Sequence, residues 1–100
     1  MVRVENITAD NNQRHTLLKD DGDVVIVLRF HATIQQWTID VERNDKAVYG
    51  VKLAVGVRHI QSTNMGVDFV VQDTSGSGID PFRLDDFESG RCLLAMVDAV

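Results

Sequence analysis

Val24–Glu42, which reads VVIVLRFHATIQQWTIDVE, is the stretch that decides the fold. Apolar residues recur at every second position, the spacing that places side chains on one face of a β-strand. The first apolar face is formed by Val24, Ile26, Leu28, Phe30 and Ala32. The second strand separates an apolar face, Trp37, Ile39 and Val41, from a polar face, Gln36, Thr38, Asp40 and Glu42. We predict that Trp37, Ile39 and Val41 pack with Phe30 and Leu28 in the core.

The pattern continues toward the C-terminus. Asn44 and Asp45 stand at the centre of a polar turn and favour a tight hairpin. From Ala47 to Arg58 the alternation resumes, and Gly50 and Gly56 inside it indicate a bulge or a close backbone approach. Two further strands are predicted at Val67–Val71 and Arg91–Val97. The second of these is apolar on both faces, which is typical of a central or covered strand.

The remaining segments give weaker signals. Val2–Thr8 and Gln13–Lys19 each read as a strand, and the acidic turn at Asp20–Asp23 leads into the decisive stretch. A glycine- and serine-rich loop covers 74–78, and Phe82–Glu88 has the spacing of one or two helical turns. We therefore predict one all-β domain over residues 1–100. It is a small antiparallel β-sandwich or barrel of about seven strands, with one short helical turn near residues 82–88.

Composition sets limits on function. The chain has 100 residues, of which 44% are hydrophobic and 25% charged, as in a single folded domain. Fifteen valines, six isoleucines and six threonines favour β-structure. A net charge of −5 argues against sequence-specific nucleic acid and anionic membranes as partners. No apolar run has the length of a transmembrane helix, and we expect a soluble protein made in the cytoplasm.

No catalytic or ligand-binding pattern stands out among the reactive residue types. His15, His31 and His59 lie in separate segments without metal-ligand spacing, and Cys92 lies in an apolar strand where a buried thiol is inert. Asp85, Asp86 and Glu88 read as a solvated face of the helical turn. We predict that the protein is not an enzyme and has no catalytic, cofactor-binding or metal-binding residues.

The order of features over residues 13–98 resembles that of a known family. A leucine pair and an Asp-Gly turn come first, at Leu17–Gly22, followed by the two strands of the decisive stretch. A glycine-interrupted aliphatic strand, a Met-Gly turn, an acidic segment and a last apolar strand then follow at Tyr49–Val57, Met65–Gly66, Pro81–Glu88 and Cys92–Val97. This succession resembles the baseplate plug proteins of contractile-tailed bacteriophages.

The resemblance implies a structural function in the virion. Plug proteins of this family sit inside the tail hub above the central spike, where they close the tube lumen and meet the end of the tape measure protein. The implied partners are the baseplate hub protein, the spike, the tape measure protein and further copies of the chain, as a trimer. The implied location is the tail baseplate, assembled in the host cytoplasm. An acidic surface facing the lumen would also let DNA pass without binding it.

Two hypotheses of other classes stay open at this point. The chain could be a free-standing cytoplasmic β-barrel that binds a peptide or a small molecule. It could also be an enzyme that uses a carboxylate pair at Asp85 and Glu88. Neighbouring genes for a tape measure protein, a hub and a spike would discriminate the plug from the free-standing module.

The segment Asp80–Phe87 is our prediction for partner contact. Phe82, Leu84 and Phe87 stand within eight residues, framed by acidic residues. Apolar side chains with charged neighbours are typical of an interface core with a polar rim. The competing interpretation is that the three side chains cap the open end of the domain, and the stability of a Phe87→Ala variant separates the two.

Overall fold

The structure is a computed structural model that describes residues 2–19, 22–60 and 65–98. Within these ranges the chain forms seven strands and no helix, and therefore no helix long and apolar enough to cross a membrane. The strands are β1 (Val2–Arg3), β2 (Asn12–Leu17), β3 (Val24–His31), β4 (Gln36–Arg43), β5 (Lys46–Lys52), β6 (Val67–Asp73) and β7 (Cys92–Asp98). The Asp20–Asp21 part of the predicted turn lies outside the described residues.

The seven strands form two antiparallel sheets. One sheet has the order β2-β3-β4-β5 and the other the order β1-β7-β6. In the part of the chain that the structure describes, one isolated bridge lies outside the strands, a parallel pairing of Val55 with Val71 of β6. The all-β prediction is confirmed, and the arrangement is a sandwich. The last strand is central in its sheet, as its two apolar faces predicted.

The core lies between the sheets where the decisive stretch predicted it. The fully buried residues of these two strands are Val24, Ile26, Leu28, Trp37, Ile39 and Val41. Phe30 is partly buried and pairs across the strands with Trp37 at a ring-centroid distance of 5.5 Å. Ala32 lies beyond the end of β3 and is exposed, so the predicted apolar face stops at Phe30. The second sheet contributes three buried residues from β6 and four from β7: Val67, Phe69, Val71, Cys92, Leu94, Ala95 and Met96. Asp40 departs from its predicted polar environment. It is buried, and its carboxylate pairs with Arg29 and accepts a hydrogen bond from the backbone N–H of Gly50.

A bulge at Gly50 interrupts the hairpin of β4 and β5. The register shifts between Ile39 and Val41, and Gly50 has a φ of 68°, in the left-handed region that favours glycine. Because of the extra residue, Val48 and Val51 both pack against the core, whereas Tyr49 between them is exposed. The alternation predicted through residues 47–58 is therefore broken at the bulge: Val51 and Leu53 after it face the core as predicted, whereas before it Val48 faces the core and Ala47 is exposed. The strand β5 itself ends at Lys52.

The segment after β5 covers the outer edge of β6. The N–H of Gly56 donates to the carbonyl of Val71 at 3.2 Å, and His59 Nδ1 lies 2.6 Å from the carbonyl of Phe69. His59 Nε2 accepts from the N–H of Ala54 at 2.8 Å, so the ring proton is on Nδ1. Hydrogen bonds from this segment thus satisfy backbone carbonyls of β6 that a free sheet edge would leave exposed.

The N-terminal strands are shorter than predicted. The expected strand Val2–Thr8 is reduced to Val2–Arg3, because Asn6 has a φ of 63° and turns the chain away from β7. Val4 and Ile7 nevertheless remain buried in the core. The strand predicted at Gln13–Lys19 is observed as Asn12–Leu17.

Candidate docking surface

The segment 79–91 joins β6 to β7 and contains the predicted contact residues. Residues 84–90 form a run of turns that is closed by three backbone hydrogen bonds. In these the N–H groups of Asp86, Ser89 and Gly90 donate to the carbonyls of Arg83, Asp85 and Phe87, respectively. Only the bond of Ser89 to Asp85, at 2.8 Å, spans four residues as in an α-helix. The predicted helical turn is therefore a single turn within irregular structure.

Asp86 holds this segment in shape from the inside. Its Oδ2 accepts the backbone N–H groups of Phe82 and Arg83 at 2.7 and 2.8 Å, and both oxygens accept from Arg91 at 2.8–2.9 Å. Burial acts to raise the pKa of Asp86, but the hydrogen bonds from Arg91 and the backbone outweigh it and lower the pKa to about 2. With 2% exposure, Asp86 does not belong to a solvated face, and that prediction is wrong for this residue.

Arg91 connects the start of β7 to the beginning of the segment. Its guanidinium donates to the carbonyls of Ile79 and Asp80, both at 3.1 Å, and forms an ion pair with Asp73 at 3.5 Å. The guanidinium carbon also lies 5.4 Å from the ring centroid of Phe82, a cation–π distance. The hydrogen bond with Asp86 raises the pKa of Arg91, so the guanidinium of Arg91 is charged at physiological pH. We call this hydrogen-bonded ion pair the Asp86–Arg91 clamp.

The preceding glycine- and serine-rich loop is organised by one carboxylate. Asp73 accepts hydrogen bonds from the hydroxyl of Ser75 at 2.7 Å, the hydroxyl of Ser77 at 2.6 Å and the N–H of Gly78 at 2.7 Å. The side-chain bonds from Ser75 and Ser77 hold the pKa of Asp73 well below its usual range. The loop thus leads into segment 79–91 from a fixed point at the end of β6.

Trp37 fastens the same segment to the core. Its indole Nε1–H donates to the carbonyl of Arg83 at 2.9 Å, and its ring meets Phe87 edge-on at 5.4 Å. A buried tryptophan needs a partner for its N–H, and segment 79–91 supplies one.

The outward side of the segment carries the exposed residues. Leu84 is 37% exposed and Ile79 52% exposed, while Phe82 is half-buried between the guanidinium groups of Arg83 and Arg91. Phe87, at 5% exposure, belongs to the core. We name the outward side the docking surface and define it by Ile79, Phe82, Arg83, Leu84 and Asp85. It carries three apolar and two charged side chains, and hydrogen bonds from Asp86, Arg91 and Trp37 hold the segment beneath it.

The reactive residue types lie apart from this surface. His15 is on β2, His31 on β3 beside the hydroxyl of Thr38, and His59 in the segment over the β6 edge. Within the described residues there is no group of three or more histidines, cysteines or acidic residues that could hold a metal ion. Cys92 is fully buried, and burial raises the pKa of its thiol to about 11.

Sequence reasoning missed the Asp86–Arg91 clamp and the contribution of Ile79. Asp85 and Asp86 are adjacent and chemically identical, and only the turn geometry sends one into the structure and the other to solvent. A faint signal was available, because an arginine directly before a buried strand needs a partner.

The comparison with known protein families covers almost the whole chain. A family model described as the cyanophage baseplate Pam3 plug gp18 matches residues 1–99. No curated protein matches the chain. The family match spans both sheets and the docking surface.

Proposed function

The chain belongs to the phage baseplate plug family, and from that membership we propose that it closes the lumen of the tail tube inside the baseplate hub, above the spike. The observation that carries this proposal is the family match over residues 1–99. Membership in the family makes the chain a structural component of the virion tail baseplate. The closure of the lumen and the contacts with the hub and the tape measure protein are what we propose.

The docking surface supports a contact with the hub protein. Leu84 and Ile79 expose apolar side chains, and Arg83 and Asp85 supply charges of both signs at the rim. An interface core of this kind gains most from burial when its base is already ordered, because little conformational entropy is lost on binding. The Asp86–Arg91 clamp and Trp37 provide that order. Of the predicted contact residues, Leu84 and Phe82 meet the hub directly in this proposal, and Phe87 supports them from the core.

The charge of the chain supports a position in the tube. Fifteen acidic residues against ten basic ones leave a net charge of −5. A surface of this sign repels phosphate, so DNA that passes the opened lumen does not adhere to the plug. In the proposal the plug meets the end of the tape measure protein on its tube side and the spike below, and works as a trimer within the hub, as the resemblance implies.

Co-purification with the hub protein of the same phage tests the contact. The Leu84→Asp variant places a carboxylate at the centre of the docking surface, and we expect it to lose the hub. Ile34→Asp is the matched control, because Ile34 is an equally apolar, exposed residue in the turn between β3 and β4. Equal recovery of the hub with both variants, each folded by circular dichroism, would remove the docking surface from the proposal.

Lumen closure is tested in the assembled tail. Tails from a phage that lacks this gene should show no density inside the hub above the spike by electron cryomicroscopy. The density should return when the chain is supplied from a plasmid. Unchanged density in the lumen of tails without the chain would overturn the plug assignment for this protein.

A further inference from the structure

His59 uses both nitrogens of its ring to hold the segment after β5 against the edge of β6. Its Nε2 accepts the N–H of Ala54 at 2.8 Å, and its Nδ1 donates to the carbonyl of Phe69 at 2.6 Å. Both partners are backbone groups, so neither can exchange its role as donor or acceptor. The arrangement therefore requires a neutral ring, and a proton added at Nε2 removes the acceptor for Ala54.

The two other histidines of the chain do not have this constraint. His15 Nε2 lies 2.8 Å from Oε1 of Gln13, an acceptor to which a protonated ring still donates. His31 Nε2 lies 2.9 Å from the hydroxyl of Thr38, which can either donate or accept. Of the three rings, which all lie in the described ranges, His59 is the one with a hydrogen bond that protonation must break.

The next hydrogen bonds of this segment follow directly after Ala54 in the chain. The N–H of Val55 donates to Oδ1 of Asp80 at 2.9 Å, and the N–H of Gly56 donates to the carbonyl of Val71 at 3.2 Å. Three consecutive N–H groups are thus bonded to three different parts of the structure. Because adjacent residues are covalently linked, a displacement of Ala54 pulls on the two bonds that follow it.

The charged groups on the elements packed around His59 are two acids and two bases. Asp68 of β6 is fully buried, and its Oδ1 accepts the N–H of His59 at 2.9 Å. Asp80 and Lys52, on the neighbouring elements, form an ion pair at 3.7 Å, and Arg58 directly precedes His59. The charges of these four groups balance, so the hydrogen bond at Nε2 is what links protonation of the ring to the position of the segment.

We propose that His59 is a pH-sensitive switch whose protonation releases residues 54–58 from the edge of β6. The closed segment keeps all its bonds only with the neutral ring, so protons favour the open form and the closed fraction falls as the pH falls. Histidine side chains ordinarily take up a proton near about pH 6.5, which places the test between about pH 7.5 and about pH 5. When Gly56 leaves the carbonyl of Val71, β6 presents an unpaired edge at that point. The inference goes beyond the proposed function and does not depend on it.

Amide hydrogen exchange of the purified chain, followed by NMR, tests the switch. Protection factors are compared at about pH 7.5 and about pH 5, because they correct for the intrinsic pH dependence of exchange, and the ring resonances of His59 report its protonation. We expect the protection factor of Ala54 to fall roughly tenfold or more, in step with the ring titration. The N–H of Thr74, which donates to the carbonyl of Arg91 at 2.8 Å, is the internal reference, and its protection should change less than about twofold.

Two glutamine variants give the matched comparison. Glutamine keeps a hydrogen-bond acceptor but does not titrate in this range. In His59→Gln the protection of Ala54 should therefore be independent of pH, whereas in His31→Gln it should fall as in the wild type. If His59→Gln does not fold, the ring titration and the amide exchange of the wild type still decide, with His31→Gln as the control.

Constant protection of Ala54 while the ring of His59 becomes protonated would overturn the inference, and so would a ring that stays neutral down to about pH 5. A fall in protection that persists in His59→Gln would assign the effect to another group, such as Asp68, and would overturn it as well. Co-purification of the hub is a separate measurement, so each of these results leaves the proposed function intact.

Discussion

The ring of Phe87 stands edge-on against the indole of Trp37, with ring centroids 5.4 Å apart and the two planes at 86°. Trp37 lies near the start of β4, an inner strand of the four-stranded sheet, and Phe87 lies in the segment that leads into the other sheet. Edge-to-face packing of this kind stabilises beyond the burial of area alone. This one contact therefore joins the sandwich core to the base of the docking surface.

Trp37→Ala should lower the free energy of unfolding by about 3–5 kcal/mol. The substitution removes a fully buried side chain, leaves a cavity beside Phe30 and Phe87, and removes the donor to the carbonyl of Arg83. Urea denaturation followed by circular dichroism measures the change. Stability equal to that of the wild type would contradict the placement of Trp37 in the core.

Phe87→Ala and Leu84→Ala should separate the core from the docking surface. We expect Phe87→Ala to lower the free energy of unfolding by about 3 kcal/mol or more, because the ring is buried against Trp37. Leu84→Ala should cost less, about 1 kcal/mol, because Leu84 is already 37% exposed and the substitution removes less buried area. Thermal melts of the two variants decide the matter. A reversed order would place Leu84 in the core and return Phe87 to the surface.

Asp86 should make stability depend on acid pH. Its pKa is about 2 in the folded state and 3.8 ordinarily, so folding favours the ionised form. The resulting stability is present above about pH 4 and is lost as the pH falls toward 2, a change of about 2 kcal/mol. Asp86→Asn should lack this component and be less stable at neutral pH, because Arg91 loses its carboxylate partner.

Urea titrations of wild type and Asp86→Asn between about pH 2 and pH 6 measure the difference, over the window that the two pKa values define. Asp98, whose pKa is lowered by its hydrogen bond with Lys19, contributes equally to both proteins and cancels in the comparison. Asp73 shares Arg91 with Asp86, so both proteins in the comparison also carry Asp73→Asn. A gap between the two proteins that stays constant as the pH falls would show that Asp86 does not titrate as described.

Cys92 should resist alkylation in the folded protein. Its thiol is fully buried, and burial raises the pKa to about 11, so little thiolate forms and reagent has no access. Iodoacetamide at mildly alkaline pH should modify the single cysteine only after urea is added, as followed by mass spectrometry. Rapid labelling of the native chain would mean that β7 is accessible or opens readily.

The sequence by itself determined the two central strands and their core. In residues 24–42 the alternation of polarity is a local property, since a strand places every second side chain on the same face wherever it lies. The burial of Ile26, Leu28 and Trp37 follows directly. The central position of β7 follows from a separate local property, the apolar residues on both of its faces. The order of these features also pointed to the plug family, which the match over residues 1–99 confirms.

Tertiary structure alone decided the features that depend on distant partners. Asp86 is buried and Asp85 is not because Arg91 and two backbone N–H groups converge on one of two identical neighbours. The bulge at Gly50 exposes Tyr49, and β1 stops after Arg3, because strand length depends on what lies across the sheet. β1 and β2 are edge strands of different sheets, and the residues of either strand taken alone do not specify its place in the sheet.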